Sequence, residues 1–131
     1  MPDAATYLRP GFRTITPYLT VRGAEEAIAF MVATFAAVVL RRDPHDDGTL
    51  MNAEIRIGDS LLEIGEARGA WEPLPGALHV YVTDTDATFR RALAAGGVEL
   101  YPPADMPYGE RSAGVRDVVG NVWYLATYQA E

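Results

Sequence analysis

Residues Thr14–Val21 alternate, with Ile15, Pro17, Leu19 and Val21 on one side and Thr14, Thr16, Tyr18 and Thr20 on the other, which predicts a half-buried strand. The period then changes. Ala27, Ile28, Met31, Val32 and Phe35 share one face of a helix predicted over Ala24–Ala36, with Glu25 and Glu26 in its first turn, where acids suit the helix dipole. A short strand is predicted at Val38–Arg42, and the Asp-Pro-Gly content of Asp43–Gly48 marks a turn. Leu50–Ile57 alternates again, and Gly58-Asp59 turns it into a strand at Leu61–Ile64. The Gly- and Pro-containing run Glu66–Gly76 reads as a connection.

The same order then returns. A strand is predicted at Leu78–Val82, a helix at Thr85–Ala95 between the Asp84–Asp86 start and the Gly96-Gly97 stop, and a strand at Val98–Tyr101 ended by Pro102-Pro103. Further strands are predicted at Ala113–Val118 and Val122–Thr127. A spacing of 61 (82 − 21) carries Val21 onto Val82, Leu19 onto Val80, Ile28 onto Phe89 and Leu62 onto Trp123. One spacing that matches buried positions at both ends of a unit predicts two β-α-β-β-β copies. Neither copy covers its own apolar face, so the expectation is one α+β domain. It comprises module one at about 14–66, a linker at 67–76 and module two at about 77–128.

The 131 residues suffice for one hydrophobic core without disulfides. All 11 basic residues are Arg, which excludes a Schiff-base lysine and a Walker-type phosphate loop. No Cys is present and only two His, His45 and His79, so thiol chemistry and three-histidine metal sites are excluded. A net charge of −7 opposes a nucleic-acid partner, which needs a basic stripe. Neither a membrane span nor a signal peptide is visible, and the cytoplasm is the expected address. The Asp43–Asp47 stretch lacks the ligand spacing of a calcium loop.

Four segments carry a resemblance: Ile15–Phe30, Met51–Ser60, Leu78–Ala87 and Tyr108–Trp123. In order and spacing they are similar to the vicinal-oxygen-chelate superfamily of glyoxalases, bleomycin-resistance proteins and extradiol dioxygenases, and above all to its small bacterial glyoxalase-like members. The resemblance implies two tandem βαβββ modules forming an open, curled mixed sheet, with helices outside and a ligand cavity inside. It places Thr16, Tyr18, Asn52, Glu54, Arg56, Leu61, Glu63, His79, Tyr81 and Tyr124 on the cavity face, with Tyr108 and Arg111 beside them.

Catalytic relatives hold a divalent metal at positions that correspond here to Thr16, Glu63, Ala77 and Tyr124. Only Glu63 is a competent ligand, and one carboxylate does not hold such an ion against water. The expectation is therefore no metal and no cofactor. A non-standard convergence of Glu54, Glu63 and His79 is the alternative. The implied function is a metal-free small-molecule binder of the bleomycin-resistance type, whose Tyr walls stack on a ligand while Glu54 and Glu63 attract a cation. Arg56 and Arg111 suit an anion instead, unless acids pair with them. The alternative is a glyoxalase-type lyase or isomerase, with Glu63 as the best candidate base and Tyr124 or His79 as acid. A homodimer is expected, with Leu8–Phe12 and Tyr101–Tyr108 as candidate contact segments.

Overall fold

The computed structural model describes residues 7–130. Module one comprises β1 (Tyr18–Val21), α1 (Ala24–Phe35), β2 (Val38–Pro44), β3 (Leu50–Ile57) and β4 (Ser60–Glu66). Module two repeats it as β5 (Ala77–Tyr81), α2 (Thr85–Ala94), β6 (Val98–Met106), β7 (Glu110–Arg116) and β8 (Val122–Tyr128). The fold is α+β, with the two expected βαβββ modules. The open sheet takes the form of two four-stranded mixed sheets, ordered β1-β4-β3-β2 and β5-β8-β7-β6, neither closed into a barrel. In each, the first and last strands run parallel and the other neighbours antiparallel.

Strand register confirms the internal repeat. Tyr18 pairs with Glu63 and His79 with Tyr124, so both partners recur at the same spacing of 61 (79 − 18 and 124 − 63). The spacing slips to 60 in the middle strands: Arg56 pairs with Leu61, whereas Arg116 pairs with Val122, because the second connection is one residue longer. Both outer hairpins also bulge at equivalent places, between Val39 and Arg41 and between Glu99 and Tyr101.

The apolar sheet faces, Leu19, Val21, Ala53, Ile55, Leu62 and Ile64 in one module and Ala113, Val115, Trp123 and Leu125 in the other, belong to one continuous core with the helices. Helix α1 buries Ala24, Ala27, Ile28 and Met31, and in addition Phe30 and Thr34. Phe30 and Phe35 reach the second module, their rings 6.5 and 5.0 Å from that of Trp123. This second contact turns the helix so that Val32, expected in the core, is 45% exposed. Two other expectations are corrected. The first strand begins at Tyr18 rather than Thr14, leaving Ile15 exposed, and β6 runs through Pro102-Pro103 to Met106. Proline is tolerated there because β6 is an edge strand whose register breaks between Tyr101 and Ala104.

Three carboxylates order the joints. Gly23 at the start of α1 has no capping side chain, so Glu66 of β4 accepts from the Gly23 and Ala24 amides at 3.0 and 2.8 Å. Asp84 caps α2 itself, through the Ala87 amide. Asp117, in the β7–β8 turn, accepts four hydrogen bonds, from Val119 N, Asn121 N, Asn121 Nδ2 and Trp123 Nε1. Asn121 Oδ1 in turn accepts from the Gly76 amide, which fixes the end of the connecting segment against module two. No described helix is long and apolar enough to cross a membrane.

Candidate functional site

Alternation along each strand sends one set of side chains to the helices and the other to the opposite, polar face of its sheet. On the first sheet that face carries Tyr18 of β1, Glu63 of β4 and Glu54 of β3, linked by the register Tyr18–Glu63–Glu54. Two carboxylates directly opposite each other repel, so each needs a partner. Arg9 Nε lies 3.5 Å from Glu54 Oε2, and Asn52 Nδ2 donates to Glu63 Oε1 at 3.1 Å. Because the Asn52 amide nitrogen must face Glu63, its oxygen faces away, and Asn52 Oδ1 is buried with no donor among the described residues. The Tyr18 hydroxyl donates to Met51 O, and burial, reinforced by the Glu63 charge, holds its pKa above the ordinary value. Arg56 is exposed on the same face.

The second sheet carries a corresponding but different group. The His79 and Tyr81 rings of β5 pack edge-on at 4.8 Å. Both address Glu110: the Tyr81 hydroxyl donates to Oε2 at 2.6 Å, and His79 Nε2 lies 3.5 Å from Oε1. That hydrogen bond raises the Tyr81 pKa, with further contributions from desolvation and the Glu110 charge, so the phenol remains a neutral donor. Tyr124 stands beside His79 in the adjacent strand, and Tyr101 lies over Gly114 with its hydroxyl 2.7 Å from Ser112 Oγ.

The expected residues thus form two groups, Tyr18–Asn52–Glu54–Glu63 and His79–Tyr81–Tyr124, one per sheet. Glu54, Glu63 and His79 do not converge, and among the described residues no three His, Cys, Asp or Glu side chains are grouped to hold a metal ion. Two expected residues lie apart from both groups. Arg111 forks onto Asp86 of α2 at 2.6 and 2.9 Å and also reaches Asp105, so its guanidinium ties helix to sheet. Tyr108 is exposed in the β6–β7 turn. Leu8 and Phe12 are half-buried rather than free. Glu110 and Ser112 escape the sequence reading as site residues because the strand predicted there starts at Ala113, whereas Tyr101 is expected only as part of a contact segment. Extending the same alternation two positions back from Gly114 reaches Ser112, and two more reach Glu110.

The Arg111 fork has a consequence at low pH. Its hydrogen bonds hold the Asp86 carboxyl below the ordinary value of 3.8. A carboxyl with a depressed folded-state pKa stabilises the fold above its unfolded pKa, and that stabilisation fades as the pH falls through the folded one. Asp86→Asn is therefore expected to lower the urea midpoint at neutral pH. The difference from the unaltered protein should narrow below about pH 3.8 and vanish in strong acid. A difference independent of pH would refute the assignment.

Two cavities adjoin the polar faces. One, of about 520 Å³, lies at the end of the first face between Tyr18, Met51, Gly65, Arg68 and Trp71. The other, of about 730 Å³, is the cleft between the modules, bordered by β5 and by the chain leading into β1.

Residues 12–125 match the family model of the Glyoxalase/Bleomycin resistance protein/Dioxygenase superfamily. The chain belongs to that superfamily. Among its relatives, the uncharacterized protein Mb0911c of Mycobacterium bovis is 35% identical over 122 residues, covering 85% of this chain and 80% of the relative. TioX from Micromonospora sp. ML1 is similar in structure with a TM-score of 0.75 at 25% identity, over 89% of this chain and 99% of TioX. The fosfomycin resistance protein FosX from Mesorhizobium loti shares the fold at a TM-score of 0.64 and 18% identity, over 92% and 93% of the two chains.

The four positions that the resemblance marks for a metal are poor in donors. Thr16 and Tyr124 offer hydroxyls, Ala77 offers nothing, and Glu63 already accepts from Asn52. That donor set does not fit a divalent ion, which requires several charged or imidazole ligands.

Proposed function

We propose that the protein is a metal-free binder of small molecules, taking an aromatic or apolar ligand that carries an amine or other cationic donor. The observation that carries this reading is the first polar face. There the carboxylates of Glu54 and Glu63 lie opposite each other, with Tyr18 in register beside Glu63. Two carboxylates supplied with one arginine and one amide favour a ligand that brings donors. The ring and the adjoining 520 Å³ cavity supply stacking surface. The net charge of −7 draws a cation inward. The second face offers a matching acid in Glu110, whose partners Tyr81 and His79 hold it in place. A second copy of the chain would close one face with the other, in keeping with the homodimer expected from sequence.

A thermal-shift and calorimetric series of matched amines and carboxylates tests this. Amines should raise the melting temperature in proportion to the logarithm of their concentration, while carboxylates of the same shape do so at least tenfold less effectively on this face. Glu63→Ala should weaken amine binding by about tenfold, the loss of one charge-assisted hydrogen bond of roughly 1.5 kcal/mol. Equal binding of amines by Glu63→Ala would refute the reading. Turnover of a bound compound abolished by the same substitution would favour the glyoxalase-type lyase or isomerase instead, with Glu63 as base.

A further inference from the structure

Apart from His79 and Tyr81, which it shares with the second polar face, the cleft between the modules differs in chemistry from the two sheet faces. Its inner wall comes from the helix side: Thr34 and Phe35 at the end of α1, Thr88 and Arg91 of α2, and the edge of Trp123. Apolar side chains of Leu62, Leu78 and Val80 complete it. Arg91 is held in place by two bonds, Nε donating to Thr34 O at 3.1 Å and Nη2 to Thr88 Oγ1 at 3.1 Å. Both partners are neutral. Among the described residues no carboxylate lies within ion-pair distance of Arg91, or of Arg13 at the mouth of the same cleft. Arg9, Arg41, Arg42, Arg68 and Arg111 have acids, while Arg22, Arg56, Arg90 and Arg116 have none within that distance among the described residues. What sets Arg91 apart is that its fork, though partly in solvent, is fixed by two bonds at the edge of a cavity.

A second observation points the same way. Thr34 is fully buried, lines this cleft, and its Oγ1 has no hydrogen-bond partner among the described residues. A buried hydroxyl without a partner is costly unless something in the cavity satisfies it. The acid of the cleft, Asp59, already accepts from Ser60. At the last turn of α2, Arg91 also complements the helix dipole. That role alone does not require its fork to be fixed toward a cavity of about 730 Å³.

We infer that this inter-module cleft is a second ligand site, taking an amphiphilic carboxylate. The carboxylate would sit on the free edge of the Arg91 guanidinium beside Thr34, with its apolar body against Phe35, Leu78, Val80 and Trp123. A planar fork fixed by two neutral acceptors is suited to a carboxylate, and its order is already established before binding. The site borders the second polar face, with which it shares His79 and Tyr81, but its anchor is Arg91 rather than a carboxylate and its ligand has the opposite charge.

The test uses Trp71→Phe protein, in which Trp123 is the remaining tryptophan and its fluorescence reports on the cleft. Titration with 4-phenylbutyrate should give a saturable change, and the neutral 4-phenylbutyramide should bind at least tenfold more weakly. Arg91→Gln should lose about tenfold in affinity for the carboxylate, Arg91→Lys less, and Thr34→Val a few-fold. Arg116→Gln, which removes an exposed charge elsewhere, should change nothing. Equal affinity for acid and amide overturns the proposal on the unaltered cleft, whatever the folding of the variants. Absence of a saturable signal, or an Arg91→Gln protein of native melting temperature and undiminished affinity, overturns it as well.

Discussion

Asp117→Ala is expected to lower stability by about 4 kcal/mol and the melting temperature by about 15 °C, the largest effect of any single substitution considered. Asp117 is 5% exposed and accepts four hydrogen bonds, two from backbone amides and two from side chains. Alanine leaves all four donors without their acceptor, three of them buried. It also releases Asn121, whose oxygen holds the Gly76 amide, and Trp123, whose ring packs on Phe30 and Phe35 of the other module. The damage therefore spreads from a turn to the contact between modules. Asp117→Asn keeps the volume and one or two acceptor positions but presents an amide to donors, and is expected to cost about half as much. Urea denaturation followed by Trp fluorescence measures both. A loss below about 1 kcal/mol for Asp117→Ala would show that the turn is held by other means.

Gly65→Ala is the second large effect, and it reaches the ligand face. A Cβ on Gly65 would lie 2.5 Å from Met51 O and 2.8 Å from the Tyr18 hydroxyl. The nearer atom is backbone of a strand in the same sheet, so rotating a side chain does not relieve it. Overpacking of this kind costs about 2–3 kcal/mol. Relief requires the β3 backbone at Met51 to shift, and the Tyr18 hydroxyl, 2.8 Å away, must give as well, breaking its hydrogen bond to Met51 O and displacing the aromatic wall between the acids and the 520 Å³ cavity. The expected outcome is a melting temperature lower by about 10 °C together with weaker amine binding. Tyr18→Phe, which keeps the ring and lacks the hydroxyl, should bind nearly as well as the unaltered chain. Unchanged binding by Gly65→Ala would detach Tyr18 from the site.

Much of the fold was legible because it depends on periodicity. The change from alternation at Tyr18–Val21 to helical spacing after Gly23, and the recurrence of both 61 positions later, are properties of the residue order. The polar face was legible for the same reason: Tyr18, Asn52, Glu54, Glu63, His79, Tyr81 and Tyr124 follow from strand parity. The readings that went astray were those a neighbour decides. Val32 has the spacing of a core residue, yet α1 turns Phe30 and Thr34 toward the second module. Pro102-Pro103 ends an interior strand but is compatible with a bulged edge, and edge position is a property of the sheet. Arg111 has the chemistry of a ligand group, but Asp86 across the helix–sheet contact satisfies it first.

By itself the sequence determined the duplicated βαβββ plan, the sheet face on which the strand side chains lie, and the residue chemistry at Thr16, Glu63, Ala77 and Tyr124, the positions that the family resemblance marks for a metal, since parity and residue chemistry are local. The tertiary structure alone decided which charges are already satisfied. It gave Glu54 to Arg9, Glu110 to Tyr81 and His79, and Arg111 to Asp86, and it left Asn52 Oδ1 and the Arg91 guanidinium without a donor and a counter-charge among the described residues. Such pairing depends on distances between elements far apart in the chain, and no period along the sequence encodes them.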